Sequence, residues 1–177
     1  MLLTIDSGNT NIVFAVFAED GTIAGQWRAA TNANRTADEF GIWLRQLLEV
    51  DGIELAKVDA AIIATVVPAN LINLTGLCRK YFGCEPLVVG DPALDLGIQV
   101  LTDNPREVGA DRLCNAVAAH ISYEGPLLVL DFGTAGGLIF DGFRRYVIDV
   151  AKTRVKALML IAGQGLISSV DTQPSLG

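Results

Sequence analysis

The sequence predicts an α/β fold built from two related halves, and three observations carry that prediction. Short aliphatic runs alternate with amphipathic stretches of helical period. Two of the aliphatic runs end in an Asp-x-Gly turn cluster, Asp6-Ser7-Gly8 and Asp131-Phe132-Gly133. The second cluster lies 125 residues after the first and is again followed by a short apolar run. With 177 residues, 51% of them hydrophobic, the chain can bury one good core or two small subdomains.

Leu2-Leu3-Thr4-Ile5 suits a buried strand and ends in the turn residues Asp6-Ser7-Gly8-Asn9-Thr10. A second strand follows over Ile12–Phe17. Glu19-Asp20-Gly21 is a hairpin turn into a third, Thr22–Arg28. Thr36-Ala37-Asp38-Glu39 opens a helix, with a Thr cap and acids in the first turn. Its apolar face carries Phe40, Trp43, Leu44, Leu47 and Leu48. Val58–Ala64 is a strand, and Pro68 starts a helix running to about Tyr81. Pro86–Val89 is a last strand before a loop rich in Gly, Asp and Pro. The pattern then restarts: a helix over Pro105–Tyr123, with Val108, Leu113, Val117 and Ile121 on one face, then strands Leu127–Leu130 and Leu138–Phe140. Residues 90–105 are the expected junction, giving subdomains at 1–100 and 101–177.

Composition excludes several functions. Twenty acids against thirteen bases give a net charge of −7, so the diffuse positive field of a nucleic-acid binder is missing and no nucleic-acid partner is expected. Cys78, Cys84 and Cys114 are odd in number and form no CxxC pair, which reads as reduced thiols rather than a zinc or disulfide framework. His120 is the only histidine, and no nucleophile motif accompanies it. The longest apolar runs, Ala60–Ala64 and Ala157–Ala162, are far short of a membrane span; with no apolar leader segment, the expectation is a cytoplasmic protein without membrane contact.

A strand–Asp-x-Gly–strand turn has definite chemistry. Glycine lets backbone N–H groups approach a phosphate, and Asn9, Thr10 and Thr134 add short side-chain donors. An aspartate fixed at a strand end can hold Mg²⁺ directly or through water. Asp-Gly turns also occur in hairpins that bind nothing, so one such loop is weak and two are stronger. A third cluster, Asn104-Pro105-Arg106-Glu107-Val108-Gly109-Ala110-Asp111-Arg112, opens the later helix. There Gly109-Ala110 leaves a smooth face for a substrate, and Asp111 beside an arginine is a candidate base for a hydroxyl nucleophile. The alternative is an exposed helix turn with a Glu107–Arg112 or Asp111–Arg112 surface pair.

Together, Asp6-Ser7-Gly8-Asn9-Thr10, Asn104–Arg112 and Asp131-Phe132-Gly133-Thr134-Ala135 resemble the motifs of type III pantothenate kinase, with Val66-Val67-Pro68 and Thr36–Glu39 at matching places. The Gly-Ala-Asp-Arg motif is specific to that family. The other two loops are shared across the acetate-kinase, sugar-kinase, Hsp70 and actin-like superfamily. The resemblance covers about residues 1–135. It implies a duplicated ribonuclease-H-like (actin-like ATPase) α/β fold with mixed sheets, and ATP-dependent phosphorylation of pantothenate, the first step towards coenzyme A. Asp111 is then the general base. Asp6, Gly8, Asn9, Thr10, Gly133 and Thr134 line the ATP phosphates, while Gly109, Ala110 and Arg112 bind pantothenate and the transferred phosphoryl group. The resemblance also implies Mg²⁺ at Asp6, a monovalent cation (K⁺ or NH₄⁺) at Asp131, and a homodimer.

From about residue 136 the family pattern ends. Gly136–Asp141 lacks the expected threonines, and Ile161-Ala162-Gly163 only echoes an Ile-Ala-Pro-Gly helix start. The charge turns at the same place, with 17 acids against 8 bases before residue 141 and 3 against 5 from it onward. The expectation is an incomplete second subdomain, whether truncated, frame-shifted, diverged or shortened. Tyr146–Val150 reads as a strand and Lys152–Ile161 as an amphipathic helix. The alternative to an active kinase is an impaired remnant with a ligand-binding or regulatory role.

Overall fold

The computed structural model describes residues 1–122, 129–130 and 139–140. Five strands form one sheet: β1 (Leu2–Ser7), β2 (Asn11–Phe17), β3 (Ile23–Ala30), β4 (Ala60–Thr65) and β5 (Leu87–Val88), in the order β3-β2-β1-β4-β5. β1, β2 and β3 pair antiparallel, whereas β1, β4 and β5 run parallel. The parallel half requires crossovers, and the helices α1 (Ala37–Val50) and α2 (Pro68–Tyr81) supply them. This is the mixed α/β sheet of a ribonuclease-H-like fold, as expected.

Alternation along the strands splits the residues between two layers. Leu3, Ile5, Ile12, Phe14, Val16, Ala61 and Ile63 face one way, where α1 and α2 bury them with Phe40, Leu44, Leu48, Leu74 and Leu77. Ile62 and Ala64 face the other way. There they meet α3 (Ala110–Ser122) through Ala110, Leu113, Cys114 and Val117. Helix α1 starts where its cap dictates: Thr36 Oγ1 accepts from Glu39 N, and the Glu39 carboxylate takes the Thr36 N–H at 2.8 Å, a full capping box.

The strand ends differ from expectation by a residue or two, each for a local reason. β3 begins at Ile23 because Thr22 turns back, its N and Oγ1 donating to Asp20 Oδ1 at 2.9 and 2.7 Å. β4 begins at Ala60 because Val58 closes a 3-10 turn over Leu55–Lys57. The larger difference lies at 105–123. A single helix is expected there, but Pro105–Glu107 is a separate 3-10 turn, Val108 is extended, and α3 begins only at Ala110. Glu107 and Asp111 therefore do not share a helix face. Ile121 is exposed rather than buried.

β6 (Val129–Leu130) and β7 (Ile139–Phe140) pair antiparallel, as β1 and β2 do. The expected strand at 146–150 and helix at 152–161 lie outside the described residues, as do Asp131, Gly133 and Thr134.

Candidate active site

Three loops converge at the C-terminal ends of the parallel strands β1 and β4, where open α/β sheets bind their ligands. The first is the β1–β2 turn. Asp6 lies opposite Val13 and Ala64 in register, so its side chain points to the α3 face. Ser7, one residue on, points to the α1/α2 face and is fully buried. Gly8 N–H is spent inside the turn, donating to the Asn11 carbonyl at 3.0 Å, and its own carbonyl accepts from Thr31 Oγ1 at 2.7 Å. The Gly8 amide thus closes the turn. Asn9 and Thr10 are exposed, and among the described residues no acceptor takes either backbone N–H. These are the donors left for an anion.

The second loop joins β4 to α2. Val66 N–H donates to the Ser7 carbonyl at 3.1 Å, tying this loop to the first. Thr65 Oγ1 bridges the Ser7 and Val67 carbonyls at 3.3 and 3.1 Å. The third is the start of α3. Asp111 bends back over Gly109, with Oδ1 accepting from Arg112 N–H at 2.8 Å. A Cβ on Gly109 would lie 2.5 Å from that oxygen and 3.4 Å from Val66 Cγ1, so only glycine leaves the carboxylate where it is. Arg112 is half-buried beside it, and Ala110 is buried against the sheet.

Asp6 and Asp111, 105 residues apart in sequence, are thereby close enough for the Asp111 charge to act on Asp6. Burial, and then the Asp111 charge, push the Asp6 carboxyl up from 3.8 to about 6. Cys114, one turn after Asp111, is buried within reach of both charges; burial first, then Asp6 and Asp111, push its thiol up, so it stays neutral and is no nucleophile. No group of three metal-ligating side chains occurs among the described residues. A pair of mutually repelling carboxylates beside open backbone donors instead fits hydrated Mg²⁺, which takes one or two carboxylates and completes its shell with water and substrate phosphate.

Asp6, Asn9, Thr10, Gly109, Asp111 and Arg112, proposed from the sequence, thus sit on these three loops. Thr31, Thr65 and Asn70 escaped sequence reasoning. Asn70 did leave a signal: it interrupts an otherwise apolar helical stripe with Leu74 and Leu77.

Fold and site together define a ribonuclease-H-like α/β domain with a carboxylate pair at the ends of its parallel strands. The type III pantothenate kinase model matches residues 2–140. The chain belongs to that family. It is 64% identical over 135 residues to a type III pantothenate kinase of Paramagnetospirillum magneticum, covering 76% of this chain and 52% of the relative. A Rhodospirillum centenum type III pantothenate kinase is 42% identical over 192 aligned positions, covering 97% of this chain and 73% of the relative. Among solved structures, the Aquifex aeolicus Ppx/GppA phosphatase type II variant matches at 16% identity and a TM-score of 0.44, over 81% of this chain and 50% of its own. The chain spans about half the length of the first relative.

Proposed function

We propose that the chain phosphorylates pantothenate with ATP, the first step of coenzyme A formation. The observation that carries this reading is the convergence of Asp6 and Asp111 beside the open Asn9–Thr10 turn, in a chain of this family.

In this reading the N–H groups of Asn9 and Thr10 hold the ATP phosphates, and Asp6 is the residue that would hold Mg²⁺. Bound there, Mg²⁺ neutralises phosphate charge, which phosphoryl transfer requires. Asp111 accepts the proton of the attacking pantothenate hydroxyl, and Arg112 draws the phosphoryl group towards that oxygen. Gly109 keeps the Asp111 carboxylate folded onto the site. Gly133 and Thr134 form the second phosphate loop, Asp131 holds a K⁺ or NH₄⁺ ion, and the protein works as a cytoplasmic homodimer of two-subdomain chains divided near residue 100. These parts rest on the family resemblance. No described helix is long and apolar enough to cross a membrane.

The test is ADP release with Mg²⁺, K⁺ and ATP, with and without pantothenate, alongside Asp111→Asn. Pantothenate-dependent turnover that disappears in the variant supports the reading. A folded wild-type chain without turnover contradicts it and leaves an impaired, kinase-derived binding domain.

A further inference from the structure

Among the described residues only three polar side chains are buried: Thr4, Ser7 and Asn70. Thr4 turns its hydroxyl to the Ala15 carbonyl of the neighbouring strand, a local bond within the sheet. The other two are bonded to each other. Asn70 Nδ2 donates to Ser7 Oγ at 3.0 Å across 63 residues of sequence, and Asn70 is 2% exposed.

Stability alone does not call for this pair. A buried hydrogen bond adds little net free energy, and replacing both partners with apolar groups of similar shape is close to neutral. What an apolar pair cannot supply is direction. Ser7 is the last residue of β1 and the one before Gly8-Asn9-Thr10. Asn70 fixes its side chain from α2, while Val66 N–H and Thr65 Oγ1 fix its carbonyl from the β4–α2 loop. Ser7 is thus held at both its side chain and its backbone. The turn that follows is pinned by Gly8 N–H to Asn11 and by Thr31 to Gly8, and it leaves the Asn9 and Thr10 donors outermost.

We propose that Asn70 is a positioning residue for the nucleotide: through Ser7 it sets the angle at which the Asn9–Thr10 turn meets the ATP phosphates. This rests on the kinase reading above, and it adds to that reading a residue on a different helix that touches no substrate.

The experiment compares wild type, Asn70→Ala and the double variant Ser7→Ala/Asn70→Leu in the full chain. It records thermal melting, the KM values for ATP and pantothenate, and hydrogen exchange at the Gly8 amide. Asn70→Ala should raise the ATP KM about tenfold, one hydrogen bond's worth of misplacement, with the pantothenate KM nearly unchanged. Gly8 should exchange about tenfold faster, while amides in the middle of α1 keep their protection. The double variant separates position from packing. It should melt close to wild type yet keep the raised ATP KM and the fast Gly8 exchange. A double variant that regains both the wild-type ATP KM and Gly8 protection overturns the proposal, since packing alone would then suffice. Should that variant fail to fold, Ser7→Ala alone serves, and normal Gly8 protection in it is the overturning result. A folded wild type without turnover counts against the kinase reading, and Gly8 exchange then decides the role of Asn70 by itself.

Discussion

The two faces of the sheet are built on opposite plans. The face towards α1 and α2 is a continuous apolar layer, fourteen buried residues from Leu3 to Cys78, with Phe14 packed against Phe40 and Trp43 at centroid distances of 5.6 and 5.5 Å. The face towards α3 has a smaller apolar cluster, with Cys114 in it, and carries the two carboxylates of the proposed site: Asp6 on β1 and Asp111 on α3. The same strands serve both, because successive residues point to opposite sides. One face supplies stability, which allows the other to hold two carboxylates together at a cost. Ser7 and Asn70 are the exception, a polar pair lodged in the apolar layer directly beneath the site.

That contrast can be broken from either side. The largest effect is expected from Phe14→Ala. Emptying a fully buried aromatic site should cost about 3–5 kcal/mol and strip the protein of a cooperative thermal transition or shift it sharply downwards, as calorimetry would record. Asp111→Asn is the counterpart on the other face. Turnover should fall ~10²–10⁴-fold while the melting temperature stays close to wild type. Equal loss of stability in the two variants would erase the distinction between the faces.

Gly109→Ala sharpens it further. The added methyl displaces the Asp111 carboxylate, since a Cβ there lies 2.5 Å from Oδ1. Rate should drop ~10–100-fold, as expected for a misplaced catalytic group, with stability within about 1 kcal/mol of wild type. Unchanged kinetics would show that the carboxylate has no need of that exact seat.

The smallest effect is a gain. The folded carboxyl of Asp6 titrates at about 6, above its ordinary 3.8, so the folded state binds this proton more tightly than the unfolded chain. Its contribution to stability is full below pH 3.8 and is lost as pH rises through 6. In metal-free protein above that pH the charged Asp6 is a burden. Asp6→Asn should therefore melt higher than wild type at pH 8, by about 1–2 kcal/mol, and the advantage should vanish near pH 4. A destabilised variant at pH 8 would mean that the charge is compensated in the fold.

Much of this was legible in the sequence, for reasons that differ between elements. The strands of the first sheet and the two helices crossing it announce themselves through alternation, caps and turns, since Thr36 and Pro68 act on their immediate neighbours. The residues of the site were legible as motifs, but their meeting was not. Nothing local in Asp6 or Asp111 says that β1 lies next to β4 and that α3 covers that side. The break before α3 was hidden for a related reason. Pro105, Glu107 and the apolar spacing all fit one helix, and the chain departs from it where Val108 turns extended and Asp111 folds over Gly109. Thr31 and Thr65 gain their roles only from strand ends brought side by side.

The measurement that reaches the centre of this account is an NMR titration of the Asp6 carboxyl carbon in metal-free wild type and in Asp111→Asn. The account predicts a midpoint near 6 in wild type and a lower one in the variant, still above 3.8 because burial remains the larger cause. A wild-type midpoint near 3.8, or one that ignores the loss of Asp111, would contradict it: the two carboxylates would then not share a site.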